Sequence, residues 1–79
     1  MQKYLLFINK MQINSVWEVL MKYPIENIIP IKIEENCIDF KSSVDEKMLN
    51  KIFKEYFYKI GYYNTFALMD PNLDFEIIL

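Results

Sequence analysis

Histidine and arginine are absent from this chain, and cysteine and glycine occur once each, as Cys37 and Gly61. Without histidine there is no Ser-His-Asp triad, no Cys–His nucleophile pair and no zinc finger. One cysteine cannot close an internal disulfide. A single glycine leaves no glycine-rich loop to cradle a phosphate. The missing arginine removes the bidentate fork preferred for phosphate and guanine. No run of about 18 apolar residues is present to cross a bilayer. The apolar run in Met1–Ile8 is too short for a secretory leader and has no small-residue cleavage site, so a cytoplasmic protein without a membrane partner is expected.

What is present is mildly acidic and greasy. Nine basic residues, all lysine, stand against eleven acids, for a net charge of −2 and a pI near 5.0. A non-specific nucleic-acid binder is usually basic, which makes nucleic acid the disfavoured partner class. The chain has 79 residues, 53% of them hydrophobic and 16% aromatic. That length makes one domain with little interior to offer. A surplus of Tyr, Phe, Trp and Met beyond what the core can hold predicts a surface that docks another protein.

The most legible stretch runs from Ser43 to Ile60. Ser43 and Glu46 have the spacing of a capping box at a helix start. Val44, Met48, Leu49, Ile52, Phe53, Tyr56, Phe57 and Ile60 share one arc at helical period, with Lys47, Lys51, Lys54, Tyr58 and Lys59 opposite. Gly61 supplies a left-handed stop.

Upstream, Lys3–Ile8 reads as a central strand, apolar on both faces. A helix follows, beginning somewhere from Lys10 to Val16 and closed by the restriction that Pro24 places on Tyr23. Residues 28–40 read as a hairpin turning at Glu35-Asn36. That register sets Ile33 opposite Ile38, Lys32 opposite Asp39 and Ile31 opposite Phe40. Pro30 places the first arm at a sheet edge. Downstream of Gly61, Thr65–Met69 and Asp74–Leu79 flank the turn signal Asp70-Pro71-Asn72 and read as a second hairpin. The expected fold is α+β: a ferredoxin-like βαββαβ two-layer sandwich in a single domain. It has an antiparallel sheet, two helices on one face, and an extra C-terminal strand.

Several groups are candidates for chemistry. Lys47, Lys51 and Lys54 line one helix face, where they could meet phosphates or an acidic patch, although Glu55 interrupts the row. Glu34, Glu35 and Asp39 cluster at one hairpin, and Asp70, Asp74 and Glu76 at the other; such sets can share Mg2+ or simply protect sheet edges. Cys37 has no basic neighbour in sequence to activate it and reads as a buried filler. Leu6-Phe7-Ile8 is similar to the aromatic-bearing first strand of RNA-recognition folds. The third strand there needs a glycine and two aromatics, whereas this chain has Asn36-Cys37-Ile38-Asp39-Phe40. In size and element order the chain also resembles small CRISPR-associated nucleases. Those carry an acid at the end of the first strand, where this chain has Asn9, so the resemblance is one of topology.

No cofactor and no metal are expected. The expected function is a non-enzymatic protein-binding module, a small cytoplasmic inhibitor or adaptor that docks on a partner complex, as anti-CRISPR proteins of phages do. A second copy of the chain is a further candidate partner. Tyr58, Tyr62 and Tyr63, at the helix end where the apolar arc runs out, are the expected contacts, together with Lys47, Lys51 and Lys54. The alternative is a nucleic-acid-binding module using that lysine stripe and the open sheet face.

Overall fold

The computed structural model describes residues 1–62 and 66–69. Six elements follow in chain order: β1 (Gln2–Ile8), α1 (Ile13–Lys22), β2 (Ile28–Ile33), β3 (Cys37–Ser42), α2 (Glu46–Ile60) and β4 (Phe66–Met69). The strands form one antiparallel sheet in the order β2-β3-β1-β4. The fold is therefore α+β, with β1 and β3 central and each helix carrying the chain across one intervening strand. Asp70-Pro71-Asn72 and the strand expected at Asp74–Leu79 lie outside the described residues.

Pleating divides β1 between two environments. Tyr4, Leu6 and Ile8 are buried, in one cluster with Ile13, Val16 and Leu20 of α1 and Leu49, Phe53 and Phe57 of α2. Both helices therefore cover the same sheet face. Tyr4 stacks on Phe40 of β3 at 5.6 Å between ring centroids, and Phe40 meets the edge of Phe53 at 5.3 Å. Phe57 and Phe66 extend the ring stack at 4.8 Å. Each large side chain enclosed in this way contributes about 1.5–3 kcal/mol.

The long helix differs from expectation at its start. Asp45, not Ser43, is the N-cap, its carboxylate accepting the Met48 amide at 2.8 Å. Val44 is committed elsewhere: its N–H donates to Ser42 Oγ and its carbonyl accepts the Tyr4 hydroxyl. A residue held by those bonds is not free to be the first helical one. Met48 is also misplaced by the periodic reading, standing about half exposed rather than inside. The end is as expected. Gly61 adopts φ 85°, its N–H donates to the Tyr58 carbonyl, and the Tyr62 N–H donates to that of Phe57. That pair of bonds is the Schellman closure, which needs a left-handed residue.

In the first hairpin, Ile33 opposes Ile38 and Lys32 opposes Asp39, as the Glu35-Asn36 turn requires. Beyond them the register slips. Pro30, not Ile31, faces Phe40, because an irregularity between Pro30 and Lys32 ejects Ile31 toward solvent. Within the described sheet β2 is an edge strand, where a residue without an N–H is tolerated.

Candidate functional site

The outer face of α2 presents Lys47, Lys51 and Lys54, all exposed. Tyr58 continues the line with 68% of its surface accessible. It shares an open recess of about 330 Å3 with Lys54, Glu55 and Lys59. Tyr62 is placed differently: it is half-buried and packs against the core. Tyr63 lies outside the described residues. Of the three tyrosines expected to act together, Tyr58 is thus on the surface and Tyr62 largely supports the helix end.

The aromatic surplus has mostly gone inside. Tyr4, Phe40, Phe53 and Phe57 are buried, and Trp17, Tyr56, Tyr62 and Phe66 pack against them. Burial raises the Tyr56 phenol pKa, and its hydroxyl donates to the Tyr23 carbonyl at 3.3 Å. Among the described aromatics, Tyr23 and Tyr58 stand more than half exposed. The accessible apolar groups are otherwise aliphatic: Met1, Met11, Met21, Met48, Ile29 and Ile31.

A second surface is the sheet face that neither helix covers, expected from the sequence as an open face but without the residues that line it. Because Tyr4, Leu6 and Ile8 point to the helices, Lys3, Leu5 and Phe7 point away from them. Register brings Lys41 opposite Lys3, Asp39 opposite Leu5, and Cys37 opposite Phe7. On the other side of β1, Met69 opposes Leu5 and Ala67 opposes Phe7. Leu5, Phe7 and Met69 are half-buried, and Lys3, Lys32 and Lys41 are exposed.

Asp39 sits in the middle of this face and is nearly inaccessible at 3%. A buried carboxylate needs partners, and it has three. Lys3 Nζ approaches Oδ2 at 3.4 Å and Lys32 Nζ at 3.8 Å, while the Cys37 thiol donates to Oδ1 at 3.6 Å. Lys32 also reaches Glu34 at 2.9 Å, and the Glu34 bond is the first cause raising the Lys32 pKa, with Asp39 adding to it. Burial, reinforced by the Asp39 charge, pushes the Cys37 thiol up to about 11 from an ordinary 9.0. It stays protonated at neutral pH and is a poor nucleophile there.

The acids expected to cluster are distributed among lysines instead. Glu34 pairs with Lys32, Glu35 with Lys10, and Asp39 with Lys3 and Lys32. Among the described residues no three Cys, Asp or Glu side chains converge to hold a metal ion. Asp70, Asp74 and Glu76 lie outside the described residues. No helix among the described residues is long and apolar enough to cross a membrane. The chain matches no family model, no curated protein and no solved structure.

Proposed function

We propose that this chain is a non-enzymatic protein-binding module, a small cytoplasmic inhibitor or adaptor that works by occupying a surface of a partner complex, of the anti-defence kind. The observation that carries the proposal is the placement of large apolar groups on the outside of so small a domain. Met11 is 91% accessible, Tyr58 68% and Ile29 50%. Surfaces of this mixed apolar and charged character are what protein partners cover. We read the scaffold as ferredoxin-like; support comes from the antiparallel order β2-β3-β1-β4 and from helices that each span one strand. That architecture hosts many activities, so the functional reading rests on the surface and not on the fold.

The test is a tagged chain incubated with a candidate host complex, followed by size-exclusion with light scattering. A stoichiometric complex, or a defined dimer of the chain itself, is the expected result. A monomer that leaves the elution of every candidate unchanged contradicts the proposal.

One observation supports a second reading. Lys47, Lys51 and Lys54 are exposed along one helix face, as a phosphate-contacting stripe would need. On that reading a labelled single-stranded oligonucleotide binds with affinity that falls steeply with salt, and the triple Lys→Glu variant at these positions loses it.

A further inference from the structure

The geometry points to the helix-free sheet face as the docking surface, and to an acidic, partly apolar segment of another protein as its occupant. This rests on the protein-binding reading above and names its surface and partner chemistry. Lys3 and Lys41 stand directly opposite each other on β1 and β3. Like charges in that relation destabilise a sheet. Lysines are common on edge strands, where they prevent unwanted pairing, but these two strands are central. That explanation does not reach them.

Asp39 accounts for part of the charge. Lys3 and Lys32 both lie within ion-pair reach of its carboxylate. Lys41 does not, and it makes no ion pair with any described residue. Among the described residues, Lys3, Lys32 and Lys41 against Asp39 and Glu34, which also pairs with Lys32, leave this face with one positive charge in excess, in a chain whose overall charge is −2. Beside the lysines, Leu5, Phe7 and Met69 are only half-buried. The combination asks for carboxylates over the lysines and apolar side chains over Leu5 and Phe7.

Nucleic acid fits this surface less well. Asp39 sits among the lysines, no arginine fork exists, and β3 offers Cys37, Asp39 and Lys41 where stacking would require rings. An acidic protein segment satisfies both halves of the surface, and phosphate satisfies one. Charge complementarity of this kind sets specificity and association rate.

The test is an NMR titration of the isotope-labelled protein with a soluble synthetic peptide in which glutamates flank a central Leu-Phe-Leu. A control peptide carries glutamine for each glutamate, and polyuridylate is titrated in parallel. The inference expects saturable shifts at the amides of Lys3, Leu5, Asp39 and Lys41, with weakening by the glutamine control. It also expects a loss of about tenfold in affinity for Lys3→Gln/Lys41→Gln. The triple Lys47→Gln/Lys51→Gln/Lys54→Gln variant should bind like the parent. Shifts confined to α2 would overturn the sheet-face assignment while leaving a protein-binding role intact. Response to polyuridylate alone would overturn both. A peptide that produces no saturable shift anywhere overturns the inference.

Discussion

Asp39 and Cys37 show what a buried polar pair does on the sheet face that neither helix covers. The carboxylate is tolerated because lysines and a thiol surround it, and the thiol in turn is raised by burial and by that carboxylate. A pH dependence follows. The folded thiol keeps its proton to about 11, whereas an unfolded one releases it near 9.0. Between those values the unfolded state binds fewer protons, so stability falls as pH rises through this window. The fall should be on the order of 1–2 kcal/mol. Urea midpoints of the parent and Cys37→Ala, compared at neutral and strongly alkaline pH, isolate it from tyrosine and lysine titration. The parent should lose more than the variant; equal losses would contradict the assignment. At this scale the sequence was partly readable. The Lys32–Asp39 pair followed from the turn, but the burial of Asp39 did not, because it depends on side chains from three strands converging.

Helix α2 was the most legible element, since eighteen residues of amphipathic pattern between a polar start and Gly61 admit few other readings. Its end was fixed by the left-handed conformation that glycine adopts cheaply. Its start was misread by two residues because Ser43 and Asp45 both suit an N-cap. The choice was made by the two bonds that hold Val44, its N–H donating to Ser42 Oγ and its carbonyl accepting from the distant Tyr4 hydroxyl. Asp45→Ala should therefore cost about 1 kcal/mol, while Ser43→Ala should stay within about 0.5 kcal/mol. Chemical denaturation of both variants checks this; the opposite ranking would restore the capping box. In β2 the alternation from the turn held for Ile33 and Lys32 and failed at Ile31, because strict pairing cannot anticipate an extra residue beside Pro30. Thr65–Met69 was expected as one arm of a hairpin, and β4 is there as Phe66–Met69, hydrogen-bonded to β1.

For the molecule as a whole, composition signalled an excess of rings but could not say where they would go. Among the described residues the interior took most of them, since flat side chains fill the layer between α2 and the sheet, and Tyr23 and Tyr58 were left to the surface with methionine and isoleucine. Phe53 lies at the centre of that layer, near Phe40, Phe57 and Phe66. Phe53→Ala should cost about 3–5 kcal/mol, a large share of the roughly 5–15 kcal/mol that holds such a domain together. Tyr58→Ala, at the surface, should leave the urea midpoint nearly unchanged.

The charge pattern on the helix-free face was equally hidden, because Lys3 and Lys41 are far apart in sequence and only the β1–β3 register brings them together. If that face exists to receive acidic protein, the repulsion it carries is a cost of roughly 0.2–1 kcal/mol kept for binding. Lys41→Glu turns the repulsion into an attraction across the same two strands. The most direct measurement is the melting temperature of this variant alongside its affinity for the glutamate-flanked peptide. The expected result is a melting point higher by about 2–6 °C together with loss of peptide binding. A variant that melts lower than the parent and still binds the peptide as tightly would contradict it.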